Sequence, residues 1–155
     1  MDSVILPGSY DPVTLGHVDI IRRATELYSE VYAVIFINPK KKYLFSESDR
    51  IRMLQLACED IPHVRVDFYS GRVVDYMREH GIGKIIKGYR NDADLEYERI
   101  QAEYNLKEGG YETELWLSNP EFASISSTLA RTALADKTEL SKILPEKVIA
   151  FINSH

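Results

Sequence analysis

Two short stretches, more than a hundred residues apart, combine residue types that can hold and polarise a phosphate. The first is Thr14-Leu15-Gly16-His17, which follows the loop Pro7-Gly8-Ser9-Tyr10-Asp11-Pro12. Thr14 and His17 are spaced to share the first turn of a helix, where unpaired N–H groups and the positive end of the helix dipole favour an anion. Gly16 lets a ligand come close to the backbone. The second stretch is Ser126-Ser127-Thr128, hydroxyl residues that open another helix and offer a cradle for the phosphates of a nucleotide, with Arg131 one turn further on. Taken singly, each stretch is equally an ordinary helix cap.

Cations are spaced between them. Lys40-Lys41-Lys42, Arg72 in Ser70-Gly71-Arg72-Val73, and Lys87 with Arg90 in Lys87-Gly88-Tyr89-Arg90 all suit a polyanionic ligand. The lysine run alone reads as a solvated loop. Asp94, Tyr97, Glu98, Gln101 and Asn105 recur at helical spacing and share one face, able to hold the nearby cations or to reach a ribose and base.

Alternating periodicities supply the elements that must position these groups. Val4-Ile5-Leu6, Val31 to Ile37, Val64 to Phe68, Lys84 to Lys87 and Thr113 to Leu117 read as strands. Helical stripes separate them: Ile20, Ile21, Ala24, Leu27 and Tyr28; Ile51, Leu54, Ala57 and Cys58; Val73, Val74 and Met77; and a charged run from Asp92 to Lys107 closed by Gly109-Gly110. Ser46-Glu47-Ser48-Asp49 has the form of a capping box, His80-Gly81 stops the third helix, and Pro145 opens the last. Strands alternating with helices predict an α/β protein: one Rossmann-like domain over residues 1–155 with a five-stranded parallel sheet flanked by helices. Ligands of such sheets bind at the carboxyl ends of the strands, where the five polar segments fall.

Composition narrows the function. A net charge of −5 argues against a nonspecific nucleic-acid binder. The single Cys58 permits no internal disulfide, no apolar run is long enough for a bilayer, and no signal-peptide pattern leads the chain, so a soluble cytoplasmic protein without a membrane partner is expected. Neither a Walker A loop nor a GxGxxG fingerprint is present.

Thr14-Leu15-Gly16-His17 resembles the T/HxGH signature of the nucleotidyltransferase superfamily, and Ile125-Ser126-Ser127-Thr128 with Arg131 resembles its ISSTxxR partner. Together with Pro7 to Pro12, Pro39 to Phe45, Lys87 to Arg90, Asp94-Leu95-Glu96-Tyr97-Glu98 and Leu144-Pro145, nearly the whole chain is similar to the bacterial phosphopantetheine adenylyltransferases. The resemblance implies transfer of AMP from ATP to 4′-phosphopantetheine, giving dephospho-CoA and pyrophosphate in coenzyme A biosynthesis. By position it implies His17 and Lys41 as stabilisers of the transition state and Lys87 as the group that orients the nucleophile. It implies acceptor contacts at Ser9, Lys41, Val73 and Lys87. ATP contacts are implied at Ser9, Tyr10, His17, Gly88, Tyr89, Arg90, Glu98, Phe122, Ala123, Ser124, Ile125, Ser126, Ser127 and Thr128. A homohexamer, inhibition by coenzyme A, and Mg²⁺ arriving with ATP rather than in a protein cage complete the expectation. Two departures stand out: Lys87 replaces the usual arginine, and Arg72 replaces an apolar residue expected in the wall near the pantetheine arm. Two rivals remain: a nucleotidyltransferase using CTP or another phosphorylated acceptor, and a nucleotide-binding sensor without turnover.

Overall fold

Continuous apolar runs of strand length have no polar face to turn to water, so they are stable only where helices cover both sides of the sheet. The computed structural model, which describes residues 2–155, follows that rule. Strands β1 (Ser3–Gly8), β2 (Glu30–Phe36), β3 (Val64–Tyr69), β4 (Lys84–Tyr89) and β5 (Glu112–Leu117) form one sheet in the order β3-β2-β1-β4-β5, every pair parallel. Helices α1 (Leu15–Leu27), α2 (Glu47–Cys58), α3 (Val73–His80), α4 (Asp92–Gly109), α5 (Ser127–Asp136) and α6 (Glu146–Asn153) connect and flank the strands. A 3₁₀ turn at Pro120–Phe122 precedes α5. The single α/β domain with a five-stranded parallel sheet is therefore as expected.

The chain winds from β1 outward to β3, then crosses back to add β4 and β5 on the other side. Strand order reverses between β1 and β4, and a crevice opens there at the carboxyl edge. β4 runs further than its apolar pattern indicates: Gly88 pairs with Trp116 and Tyr89 with Leu117, so Lys87, Gly88 and Tyr89 belong to the strand and only Arg90 lies beyond it. Gly88 is small for a packing reason as well, since a Cβ there would stand 3.3 Å from Ile20 Cγ1 of α1. At α2, Ser46 Oγ accepts from Asp49 N–H as a simple cap, whereas a reciprocal capping box forms at Thr14 and His17.

The two faces of the sheet are covered unequally. On one, Val4, Leu6, Ile21, Val31, Leu54 and Val148 join a large core with α1, α2 and α6. Cys58 belongs to it, and burial pushes its thiol up to about 12, which leaves it an inert core residue. On the other face Ile5, Val34, Ile85, Tyr76 and Met77 form a smaller core under α3. α4 lies beside α3 but none of its residues is fully buried. Its inward side carries Glu98, Gln101, Ala102 and Asn105, too polar or too small to fill the space, so a slot stays open between α4 and the sheet. Among the described residues no helix is long and apolar enough to cross a membrane.

α4 is pinned at its carboxyl end, where a Cβ on Gly109 would stand 2.7 Å from Val74 Cγ1 and 2.8 Å from Val74 Cβ. Helix propensity favours alanine over glycine by about 1 kcal/mol. Forcing a methyl against a branched, buried neighbour costs about 1–3 kcal/mol. Gly109→Ala is therefore expected to lower stability to urea unfolding by up to about 2 kcal/mol. A gain in stability would show that this end of α4 is not held against α3.

Candidate functional site

A buried polar knot fixes the loop after β1. Tyr10 adopts a left-handed backbone conformation (φ 48°), which a bulky residue takes only where its surroundings hold it there. Its ring is buried and its hydroxyl donates to the Leu6 carbonyl at 2.7 Å. The carboxylate of buried Asp11 accepts from the backbone N–H groups of Leu44 (2.7 Å) and Phe45 (2.9 Å). The Asp11 carbonyl accepts from Arg131 Nη1 at 2.7 Å, and Ser127 Oγ donates to the Pro12 carbonyl at 2.9 Å. Arg50, only 1% exposed, donates to the carbonyls of Ser9 (3.1 Å) and Phe45 (3.2 Å), its guanidinium 3.9 Å over the Tyr43 ring. Three stretches distant in sequence are thus tied into one rim. Arg131, expected one turn beyond the phosphate cradle, is one of the ties. Nothing in the sequence around Arg50 marks it as a buried residue.

His17 is the third residue of the helix that Thr14 caps. Thr14 Oγ1 accepts from the His17 N–H at 3.3 Å, and the Thr14 N–H donates to His17 Nδ1 at 3.0 Å. A backbone N–H can only donate, so Nδ1 is the acceptor and the ring proton resides on Nε2. Burial, reinforced by the positive charge of Lys87, lowers the His17 pKa to about 4. The imidazole is therefore neutral near pH 7, with Nε2–H free to donate away from the cap. Tyr10 packs against it, ring centroids 4.8 Å apart.

Two cavities meet at this rim. The first, of about 390 Å³, is lined by Ser9, Tyr10, His17, Gly88, Arg90, Ile125, Ser126 and Ser127 among others. The second, of about 450 Å³, occupies the slot under α4 and is lined by Lys41, Val73, Gln101, Asn105 and Thr113 among others. Pro7, Gly8, Ser9, Lys87, Tyr97 and Glu98 line both. At this junction Lys87 Nζ donates to the Pro7 carbonyl at 3.1 Å and stands 3.6 Å from Glu98 Oε2, while Lys41 Nζ donates to Ser9 Oγ at 3.4 Å. Arg90 Nε lies 3.0 Å from Asp94 Oδ2. The acidic face of α4 thus holds the cations in place. Burial pushes the Glu98 carboxyl up, and its other oxygen, Oε1, is buried without a hydrogen-bond partner.

All four expected acceptor contacts, Ser9, Lys41, Val73 and Lys87, line the second cavity. Of the expected ATP contacts, Ser9, Tyr10, His17, Gly88, Arg90, Glu98, Ile125, Ser126 and Ser127 line the first, whereas Tyr89, Phe122, Ala123, Ser124 and Thr128 line neither. Thr128 Oγ1 is turned to Arg131 Nη2 at 3.1 Å. Arg72, expected in the cavity wall, takes the N-cap position of α3 without a side-chain cap bond and points its Nε to Asp75 Oδ2 at 3.1 Å, an i,i+3 ion pair, while Val73 lines the cavity. Among the described residues no group of three or more His, Cys, Asp or Glu side chains is arranged to hold a metal ion. The carboxylates nearest the cavities, Asp94 and Glu98, are each paired with a cation.

A family model described as Cytidylyltransferase-like matches residues 5–133, a span that runs from β1 into α5 and includes both halves of the rim.

The capped geometry of His17 is open to direct measurement. In a ¹⁵N-detected NMR titration its ring is expected to show the Nε2–H tautomer and a midpoint near pH 4 rather than the usual 6.5. Titration near 6.5, or a proton on Nδ1, would contradict the capping geometry.

Proposed function

The chain belongs to the cytidylyltransferase-like family, whose chemistry is nucleotidyl transfer, and from that premise we propose that it moves AMP from ATP to 4′-phosphopantetheine. The observation that carries this reading is the pair of cavities sharing Ser9, Lys87 and Glu98, one holding His17 and the α5 N-terminus, the other Lys41 and Val73. A transferase for two phosphorylated substrates needs such a meeting point. The motifs at Lys87 to Arg90 and Asp94 to Glu98 support phosphopantetheine as the acceptor and ATP as the donor.

In the proposed reaction an oxygen of the acceptor phosphate attacks the α-phosphorus of ATP and forms the new P–O bond. The bond from the α-phosphorus to the bridging oxygen breaks, and pyrophosphate leaves with that electron pair. A phosphate nucleophile is already ionised at neutral pH, so no general base is required. Catalysis reduces to alignment and charge stabilisation. Neutral His17 donates from Nε2 to an α-phosphate oxygen, and Lys41 supplies positive charge from the acceptor side. Lys87 exchanges part of its contact with Glu98 for the acceptor phosphate and orients it. Arg90 and the N–H groups at the start of α5 hold the β- and γ-phosphates. The pairing of Asp94 and Glu98 with cations supports Mg²⁺ entering as part of the nucleotide substrate rather than in a protein cage. The family resemblance further supports a cytoplasmic homohexamer inhibited by coenzyme A.

Pyrophosphate release on mixing the protein with ATP and 4′-phosphopantetheine tests the reading, with CTP and with nicotinamide, flavin and polyol phosphates as alternatives. Release with a different pair would assign another transferase, and ATP binding without release under any pairing would assign a sensor. His17→Ala is expected to lower kcat by about 10²–10³-fold with little change in ATP binding, the scale of one lost transition-state donor. Near-normal turnover in that variant would remove His17 from the mechanism.

A further inference from the structure

Of the consecutive lysines 40 to 42, Lys41 lines the second cavity and its two neighbours do not. A lysine on an exposed loop has a flexible four-carbon stem and a strongly hydrated ammonium, so aiming it costs conformational entropy. Here the ammonium has two neighbours that locate it. It donates to Ser9 Oγ at 3.4 Å and stands 5.6 Å from the centroid of the Tyr43 ring, within reach of a cation–π attraction.

Tyr43 is itself held by two contacts. Its phenol oxygen accepts from the Asn38 N–H at 3.0 Å, and the Asn38 carbonyl accepts from the Lys41 N–H at 3.0 Å, so the loop closes on itself around the lysine. Its ring lies 3.9 Å from the guanidinium of Arg50, a buried group anchored by the carbonyls of Ser9 and Phe45. A buried charge must keep its partners, so the place of Arg50 is set by the buried knot. The Asp11 carboxylate fixes the N–H groups of Leu44 and Phe45, and Tyr43 is the next residue toward the lysine. It is the link between that knot and Lys41.

We propose that Tyr43 is a positioning residue that acts through Lys41: its ring and hydroxyl, set by Arg50, hold the loop so that the ammonium faces the acceptor phosphate before substrate arrives. This rests on the reading of Lys41 as a source of positive charge on the acceptor side. A charge already in place stabilises a transition state without reorganising, whereas a free loop lysine has to be ordered in each turnover. Tyr43 also lines the cavity, so direct contact with substrate is the competing role.

The test compares wild type, Tyr43→Phe and Tyr43→Leu, each with Lys41 intact and with Lys41→Ala. Tyr43→Phe keeps the ring and loses the hydrogen bond, and is expected to lower kcat/KM for 4′-phosphopantetheine about 2–10-fold. Tyr43→Leu loses the ring as well and should fall about 2–5-fold further, the range of an exposed cation–π contact, with the KM for ATP unchanged in both. In the Lys41→Ala background neither change should lower kcat/KM again. The same factors persisting without Lys41 would show that Tyr43 touches substrate or serves the fold alone, and would overturn the proposal. A second readout needs no turnover. In protein labelled with ¹³C-lysine, the Lys41 ε-methylene signal, identified by its loss in Lys41→Arg, is expected to be shifted by the ring current in wild type and Tyr43→Phe and to return to the position of exposed lysines in Tyr43→Leu. An unshifted signal in wild type, or one that Tyr43→Leu leaves in place, would mean that Tyr43 does not hold Lys41. If wild type releases no pyrophosphate with 4′-phosphopantetheine, the acceptor reading fails while the spectra still decide the contact.

Discussion

The carboxylate of Asp11 is the contact on which the rest of the site depends. A buried charge is tolerated only where hydrogen bonds replace its lost hydration, and Asp11 finds two of them on the backbone of Leu44 and Phe45. That requirement draws the loop after β2, which carries Lys41, against the loop after β1, which carries Ser9 and Tyr10. Arg131 and Ser127 bring the start of α5 to the same place through the Asp11 and Pro12 carbonyls, and Arg50 closes the knot from beneath. Three stretches that the sheet alone would leave independent become a single edge. Rigidity here has a chemical purpose, because donors aimed at developing charge are effective only when they need not reorganise.

Electrostatics at this edge are balanced by pairing. Lys87 leans on Glu98 and Arg90 on Asp94, so the cations are aimed at the cavity while no polyanion is bound. In the proposed reaction a triphosphate or acceptor phosphate would compete with a carboxylate for each cation and gain the interaction without having to order a flexible side chain. His17 adds a donor that carries no charge of its own: the Thr14 cap commits its Nδ1, and burial beside Lys87 keeps the ring neutral. The open slot under α4 follows from the same helix. Because its inward residues Glu98, Gln101, Ala102 and Asn105 are too polar or too small to fill the space, the second cavity stays open between α4 and the sheet.

Much of this was legible in the residues, and what was not has a physical reason. Apolar runs such as Val31 to Ile37 and the stripes between them announced a parallel sheet with helices on both sides, because both patterns arise from local periodicity. The spacing of Thr14 and His17 announced a shared first turn. The polar face at Asp94 and Glu98 announced partners for nearby cations. Burial of Asp11 and Arg50 could not be read, since it depends on backbone groups and loops from elsewhere in the chain. Gly88, expected as an ATP contact, is also where Ile20 of α1 packs on the strand. Arg72 looked like part of the acceptor wall, but Asp75 three residues later is a nearer partner.

The central claim is that an acceptor phosphate held by Lys41 and Lys87 attacks the α-phosphorus of a nucleotide held by His17 and the α5 N-terminus. Labelling the acceptor phosphate with ¹⁸O and analysing both products by mass spectrometry tests it most directly. The account predicts that all of the label stays in the nucleotidylated acceptor, one labelled oxygen now bridging the two phosphorus atoms, and that pyrophosphate leaves unlabelled. Label in the released pyrophosphate would contradict it.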